Sequence, residues 1–486
     1  MFVRGWWWSV VAAGGMFHAG AARADLSDPS LLAQLNPLEQ LAAKANQAVY
    51  NALTAPTTGG SATAAGAPIC GANQAAPGGS CNGQVWLIFQ QVRELVDTAN
   101  ALEGTNGQTL YSLGLDAHGL GQALRWTAAE ELSAQGRSST EFSNGQFNVL
   151  GNRLAALRFG ARGFRVAGNN VEKGGSAGAD DPSLASPWGG FIDTSYDYGR
   201  KGDTTNSSGY EDAFAFDGTE ISGGVDYRFS PHFVLGAMLG YTSKRIDFDS
   251  SESTTDGRIR SSGASLMAYG LWEADAFYAS GSVGWQRLNH DFVRRITYPS
   301  QNPTVPSVDD TATSNTSSGA LLATFGLGYD ARYKAFTAEP YLKAEYQKIK
   351  VNSFTESGAN GFDFNYGDQN ITSLDSALGV KFEYVFSAPF GVIVPYVRGE
   401  LHKQFEDKQR QISAVYAALA TVGLQNAAGA NFDIPDDERK DNYGLVGAGL
   451  SLVLKHGWQV FAQYQQVIGL TTIADRNFTG GFRYEF

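Results

Sequence analysis

Residues 336–346 read FTAEPYLKAEY, and within this stretch apolar and polar side chains alternate with a period of two. Successive side chains of a β-strand point to opposite faces of a sheet, so this period predicts a strand with one apolar face. The other face carries Glu339, Lys343 and Glu345. A soluble sandwich would not normally keep three charges on one face opposite an unbroken apolar face of this length. A strand between lipid and a water-filled lumen does.

The same alternation is found in twelve segments between residue 188 and the C-terminus, this one included. The predicted strands span residues 188–199, 214–229, 233–248, 257–272, 276–292, 315–330, 335–350, 372–386, 391–405, 441–454, 458–470 and 476–486. Connections after even-numbered strands are short, whereas most of those after odd-numbered strands are longer and polar. Outer-membrane barrels have this layout, with short periplasmic turns and long outside loops. The predicted fold class is an all-β transmembrane barrel of twelve antiparallel strands, preceded by a small, mainly α-helical N-terminal region.

The charge pattern suggests what fills the barrel. The period of two turns charged side chains towards the lumen, namely Glu220, Asp226, Glu339, Lys343, Glu345, Arg398 and Glu400. Residues 142–168 contain four arginines and no acidic residue, and these arginines are Arg153, Arg158, Arg162 and Arg165. A cationic helix inside a largely acidic pore is electrostatically reasonable, so we expect this segment to span the pore. An ordinary solvated helix face is the alternative.

Composition excludes several other classes of protein. The 486 residues carry a formal net charge of −12 and no Lys/Arg-rich run, which argues against a nucleic-acid-binding protein. Two cysteines are too few for a disulfide scaffold, a zinc ribbon or an iron–sulfur site. The histidines are scattered, without an H-E-x-x-H motif. We therefore expect no metal site and no cofactor.

The N-terminus has the three-part order of a secretory signal peptide. Arg4 precedes an apolar core, and small residues end in Ala22 and Ala24, the expected cleavage signal. In an oxidising compartment Cys70 and Cys81 would form a disulfide around a small loop. The predicted domains are a signal peptide at 1–24, a short helical passenger with a disulfide loop at 25–121, a helical pore-spanning and linker segment at 122–187, and the barrel at 188–486.

The last strand ends in alternating aromatic residues, Phe482, Tyr484 and Phe486. A signal peptide, an N-terminal segment, an arginine-bearing helix and such a barrel, in that order, resemble the monomeric autotransporters of Gram-negative bacteria (type V secretion). The three aromatic residues resemble the C-terminal signal that the family's barrel-assembly machinery recognises. The resemblance implies insertion into outer-membrane lipid with the help of periplasmic chaperones, a monomeric barrel, and export of the chain's own passenger to the cell surface.

The passenger's own activity is not evident from the residues, and adhesion or contact with a host or cell-surface ligand is one possibility. One alternative is a porin-like or plugged channel whose helical N-terminus stays in the periplasm. A second is an outer-membrane hydrolase. Residues 174–178 match the G-x-S-x-G string around Ser176, but they lie in a Gly-rich linker and lack the strand and helix that a nucleophile elbow needs. The expectation is therefore that the chain is not an enzyme and has no catalytic residues.

Overall fold

The computed structural model describes most of the chain. The described residues are 25–56, 67–104, 107–158, 187–202, 204–206, 209–211, 213–248, 255–405, 411–435, 442–454, 458–470 and 473–485. The signal-cleavage residues Ala22 and Ala24, the arginines Arg162 and Arg165, the serine Ser176 and the terminal Phe486 lie outside these ranges. Across the described helices, none has the length and hydropathy to span a membrane.

Twelve antiparallel strands form one closed barrel. They are β1 (Trp188–Lys201), β2 (Phe214–Ser230), β3 (Phe233–Phe248), β4 (Asp256–Ala274), β5 (Phe277–Tyr298), β6 (Val308–Tyr329), β7 (Phe336–Val351), β8 (Gln369–Tyr384), β9 (Gly391–Gln404), β10 (Asn442–Leu454), β11 (Trp458–Ile468) and β12 (Ile473–Glu485). Each strand pairs with its neighbours in sequence, and β1 pairs with β12 from Gly189 opposite Glu485 to Lys201 opposite Ile473. The predicted fold class and strand count are confirmed.

The outer wall of the barrel is apolar. Large side chains such as Leu239, Trp285, Phe325, Leu378 and Phe482 point outwards and are more than half exposed. Charged and polar side chains at the alternate positions are buried inside. This is the expected arrangement for strands that face lipid on one side and a filled lumen on the other.

Two strands extend much further than the predicted limits. β5 ends at Tyr298 rather than residue 292, and β6 begins at Val308 rather than residue 315. Because residues 293–314 are polar, the sequence predicts a loop there. In the structure the two strands are paired up to Tyr298 opposite Val308, and inward apolar residues of the extensions, including Ile296 and Val308, join a hydrophobic core.

The long connections hold further secondary structure. Short strands at Phe354–Thr355, Phe364–Tyr366, Gln411–Tyr416 and Phe432–Pro435 pair in that order into a sheet that we call the outer sheet. Helix α6 (Ala417–Thr421) follows its third strand, and the strands Thr204–Asn206 and Gly209–Glu211 form a separate hairpin. Ala331–Tyr333 and Phe386–Ala388 are short strands in the turns at the opposite end. We call the two ends of the barrel the long-loop end and the short-turn end.

The N-terminal region is helical. It comprises α1 (Pro29–Leu32), α2 (Pro37–Thr54), α3 (Gly83–Glu103), α4 (Ala117–Trp126) and a 3₁₀ turn (Glu130–Leu132), followed by the long helix α5 (Ser133–Arg158). The Asn36 side chain accepts a hydrogen bond from the Glu39 amide, and the Glu39 carboxylate accepts one from the Asn36 amide. This capping box fixes the start of α2. We call residues 25–132 the cap.

The cap lies on the long-loop end and shares one hydrophobic core with it. Fully buried side chains of α2 and α3, such as Val49 and Phe89, belong to the same cluster as Phe364 and Tyr416 of the outer sheet. Gly361 has a φ of +103°, and a Cβ there would lie 2.5 Å from the backbone nitrogen of Ile88 in α3. A side chain at this position would therefore push the loop away from the helix.

Candidate functional site

Helix α5 runs through the barrel from the cap to the short-turn end. At 26 residues it is about 39 Å long, which exceeds the ~30 Å hydrocarbon core of a bilayer. Near its C-terminal end, Arg228 donates a hydrogen bond to the Leu157 carbonyl oxygen at 3.2 Å. Arg228 is near the end of β2, and its amide bonds to the carbonyl oxygen of Pro187, just before β1. Helix α5 therefore ends at the same end of the barrel as the start of β1.

Arg153 of α5 is fixed to the wall by an ion pair with Asp226. Its Nε and Nη2 donate hydrogen bonds of 2.7 and 2.9 Å to the two carboxylate oxygens. The Tyr269 hydroxyl donates a further one to Asp226 at 3.0 Å. A Cβ at Gly189 would lie 2.6 Å from Arg153 Nη2 and 2.7 Å from Asp226 Oδ1, so β1 needs a glycine here to leave room for the pair.

Arg158 forms a second anchor at the last residue of α5. Its Nη2 donates to Glu339 Oε1 at 2.6 Å, and its Nη1 donates to Asp330 Oδ1 at 3.1 Å. The guanidinium lies 3.6 Å from the ring centre of Tyr278, whose hydroxyl also donates to Glu339 at 2.6 Å. Two arginines of the predicted pore helix thus contact two of the predicted lumenal carboxylates.

The helix packs against one side of the lumen rather than along its axis. Its apolar residues Phe147, Leu150, Leu154 and Leu157 pack against apolar side chains that point inwards from the barrel strands. We call these barrel side chains the seat; they are Val234, Met238, Met267, Leu271, Leu322 and Ile349. The alternation of the strands predicts charged side chains towards the lumen, and it does not predict this apolar patch. The seat is apolar because it faces a helix rather than water.

The opposite wall is charged. Lys343 Nζ lies 2.9 Å from Glu400 Oε2 and 3.3 Å from Glu345 Oε1. Arg398 Nη1 lies 3.6 Å from Glu400 Oε1, and the Tyr341 hydroxyl donates to the same oxygen at 2.6 Å. A cavity of about 180 Å³ lies between this wall and α5, and Arg398 Nη2 lies 3.5 Å from Asn148 Oδ1 of the helix. All seven predicted lumenal residues thus point inwards.

Nearer the long-loop end, uncharged side chains of α5 complete the contact. Gln146 donates to Glu220 and to Ser222 Oγ, and its Oε1 accepts from Ser265 at 2.7 Å. Asn144 Oδ1 accepts from Gln347 at 2.8 Å. The sequence analysis missed these residues because it followed only charge; the amides of Asn144 and Gln146 in a segment without acidic residues were the available signal.

Direct hydrogen bonds join the cap to the barrel. The Tyr416 hydroxyl of the outer sheet donates to Asn46 Oδ1 of α2 at 2.9 Å. The tip of the β5–β6 hairpin contacts the segment before α4, where the Gln301 amide donates to the Leu113 carbonyl oxygen and Asn302 Nδ2 to that of Ser112, both at 2.8 Å. Within the cap, Cys70 and Cys81 are buried and joined by a disulfide.

The core of the cap contains a buried carboxyl group. Glu94 of α3 is 7% exposed, and burial raises its pKa to about 8, although the adjacent Arg93 guanidinium acts in the opposite direction and Asp97 adds to the rise. The Arg93 guanidinium contacts other groups: it lies 3.6 Å from the ring centre of Tyr111 and donates a hydrogen bond to the Gln74 carbonyl oxygen.

The remaining predicted residues lie on β12. Phe482 points outwards and is 60% exposed, and the Tyr484 ring packs at 4.8 Å from that of Trp458. Both therefore belong to the lipid-facing surface near the short-turn end. Among the described residues, no group of three or more His, Cys, Asp or Glu side chains is arranged to hold a metal ion.

Comparisons with known proteins match most of the barrel. A family model described as "Autotransporter beta-domain" matches residues 190–465. Esterase EstA of Pseudomonas aeruginosa is 21% identical over 272 residues, which are 54% of this chain and 38% of that protein. Lipase 1 of Photorhabdus luminescens is 24% identical over 245 residues, or 49% of this chain and 34% of that protein. The chain thus spans less than two-fifths of the length of these curated relatives.

A solved structure, the translocator domain of the autotransporter NalP from Neisseria meningitidis, is 14% identical with a TM-score of 0.48. That match covers 74% of this chain and 100% of the NalP chain.

The names of the curated relatives correct one expectation. The residues alone predict that the chain is not an enzyme, and similarity to an esterase and a lipase contradicts this prediction.

We predict that Arg153→Met loosens α5 from the wall. The substitution leaves Asp226 buried without its cation, which typically costs about 3–5 kcal/mol. Amide hydrogen exchange over residues 144–158 should therefore become faster. In the matched double variant Arg153→Met/Asp226→Asn both charges are gone, and most of the protection should return. Equal exchange rates in the single and double variants would contradict the prediction.

We also predict that the cap loses stability as the pH rises. The Glu94 carboxyl has a pKa of about 8 in the folded cap against an ordinary value of 4.5, so the folded state holds a proton that the unfolded state releases. The stabilisation from this proton is complete below pH 4.5 and is lost as the pH rises to about 8. Protection factors for the α3 amides, measured across that range, should fall in the wild type and stay nearly flat in Glu94→Gln. Parallel curves for the two proteins would show that another group is responsible.

Proposed function

The chain belongs to the autotransporter family, since the beta-domain match covers more than half of it, and we propose that its barrel exports its own N-terminal region and anchors it at the surface as the cap. The family resemblance read from the sequence is confirmed, and so is the location: the chain is an outer-membrane autotransporter with its passenger at the cell surface. Transport of the cap by this barrel, and its retention there, are the proposed steps.

The path of α5 is the observation that carries the proposal. The helix joins the cap at the long-loop end to residues at the short-turn end, where Arg158 meets Asp330 and β1 starts. A chain that inserts from the periplasm and keeps its short turns there can place its N-terminus outside only by passing it through the lumen. A periplasmic N-terminal domain, as in the channel alternative, would be at the other end.

Folding of the cap supplies a reason for export to be one-way. Its hydrophobic core is completed by the outer sheet, which lies beyond the long-loop end. Each large apolar side chain buried there contributes about 1.5–3 kcal/mol relative to exposure. A passenger that folds onto the outer sheet is therefore drawn outwards and then held in place.

Partners of the barrel follow from the same proposal. We expect the barrel-assembly machinery to recognise the C-terminal aromatic residues, periplasmic chaperones to hold the unfolded chain, and the inserted barrel to work as a monomer. Contact of the cap with a host or cell-surface ligand stays a prediction.

Protease treatment of intact cells tests the export. An epitope inserted after residue 60, between α2 and α3, should be removed from intact cells. A matched epitope in the connection between β10 and β11, at the short-turn end, should survive until the outer membrane is permeabilised. If the first epitope is protected in intact cells, the export proposal fails and the channel with a periplasmic domain becomes the better explanation.

The same cleavage tests the retention of the cap. Residues 25–60 should stay with the barrel after purification in mild detergent, because α2 contributes to the shared core, and should separate only on denaturation. A substitution in the outer sheet, Phe364→Ala, should weaken this retention, whereas Leu110→Ala on the exposed surface of the cap serves as the control. Release of the fragment from the wild type would contradict retention.

Ester hydrolysis is a second candidate function, favoured by the names of the curated relatives. A serine nucleophile needs a base within hydrogen-bond reach. On the barrel wall, Ser261 Oγ lies 2.7 Å from Nδ1 of His290, and Ser318 Oγ lies 2.8 Å from its Nε2. All three side chains are buried, so a substrate could reach them only if the packing around them opened.

A fluorophosphonate probe tests this candidate, because it labels an activated serine wherever it lies. The folded full-length chain should hydrolyse p-nitrophenyl butyrate and acquire one label, which peptide mass analysis would assign to a residue. Loss of the label in Ser261→Ala would place the reactive serine on the barrel wall. Loss of the label in Ser176→Ala would place it in the G-x-S-x-G sequence of the linker. Absence of both hydrolysis and labelling would rule this candidate out.

A further inference from the structure

A small basic notch lies on the outside of the barrel, near the long-loop end. It is formed by Trp285 and Arg287 of β5, Gly319 of β6, and Lys348 and Lys350 of β7. Gly319 is paired directly with Arg287 on one side and with Lys350 on the other. Because adjacent strands are about 4.8 Å apart, the two cations flank the glycine at about 10 Å between their Cα atoms. One small anion can therefore lie between them over the glycine.

The notch stands out from the rest of its cross-strand row. From β1 to β8 this row contains two charged residues, Arg287 and Lys350. Its other members are Gly319 and the uncharged residues Thr194, Ile221, Tyr241, Ala264 and Asn370. One row nearer the short-turn end, Lys348 is paired with the outward-facing Leu321, which is paired with Trp285. Because the other partner of Lys348 is Thr372, this lysine lies at the end of a row of large apolar side chains.

Most of the notch's donors are unused within the chain. Over the described residues, the side chains of Arg287 and Lys348 make no ion pair or hydrogen bond, although both are exposed. Lys350 has one exposed partner, Asp368, at 2.7 Å. Trp285 Nε1 lies 3.8 Å from the position that a Cβ at Gly319 would occupy, so its N–H is available at the floor of the notch.

The notch also lies where the outer surface changes character. Below it, towards the short-turn end, β5, β6 and β7 present Val283, Phe325 and Leu342. Above it, β5 and β6 present Asn289, Asp291 and Asn315 at exposed positions. Cationic donors at the upper edge of an apolar belt are positioned for a headgroup whose acyl chains lie along that belt.

We propose that the basic notch binds the phosphate group of an outer-leaflet lipid, with the lipid's acyl chains packed over Trp285 and Leu321. Arg287 and Lys348 supply the charge, Lys350 shares its ammonium group between Asp368 and the phosphate, and the absent side chain at Gly319 leaves the space. The assignment of the lipid to the outer leaflet rests on the proposed export, which puts the long-loop end outside. The binding itself does not.

Binding of lipid A to the purified full-length protein tests this proposal. Titration in detergent, with bound lipid counted by native mass spectrometry, should show one tightly held lipid A. The variant Arg287→Gln/Lys348→Gln should bind it about 25-fold more weakly, or roughly five-fold for each cation removed. The control Arg245→Gln/Arg258→Gln removes two outward cations that already pair with Asp247, and should bind as the wild type does. Unchanged heat-modifiability on gels would show that each variant barrel is folded.

Two further probes identify what is recognised. Dephosphorylated lipid A should bind as weakly to the wild type as lipid A does to the notch variant. Inorganic phosphate alone should not displace the lipid, because it lacks the acyl chains; equal displacement would indicate an adventitious ion only and overturn the proposal. Equal binding of lipid A by the wild type and the notch variant would overturn it too. None of these results depends on export, so the protease experiment can fail while this one succeeds, and the reverse.

Discussion

Hydrocarbon offers no partner for a backbone amide, and this constraint organises the whole molecule. Every strand that crosses the membrane must be paired on both edges, so β12 has to return to β1. Closure creates an interior that lipid cannot reach, where buried charges become possible if they find partners. The pairs formed by Arg153 and Arg158 of α5 meet that condition, and the helix that supplies them also occupies the space.

The strands could be predicted because their cause is local. In FTAEPYLKAEY the alternation of apolar and polar residues reflects lipid on one side of the strand and a lumen on the other. The same period of two predicts that Asp226 and Glu339 point inwards. The seat could not be found in this way. Met238 and Met267 are apolar although they point inwards, because α5 covers them, and the position of α5 follows from residues far away along the chain.

The outer sheet shows the same limit more clearly. Residues 362–366 and 411–416 alternate apolar and polar side chains as the barrel strands do, which was the available signal. Because they lie inside long polar connections, they were assigned to loops. What decides their structure is the cap above them: Phe364 and Tyr416 are fully buried, their rings stacked 4.6 Å apart, within the core they share with the N-terminal helices.

The hydrogen bond between Asn46 and Tyr416 joins residues that are 370 positions apart. Contacts of such high sequence separation form slowly, because the loop they close is long and its entropy must be lost first. The cap therefore cannot reach its final structure while the C-terminal part of the chain is still being assembled. In the export that we propose, this delay keeps the N-terminal segment from completing its core until the barrel is in place.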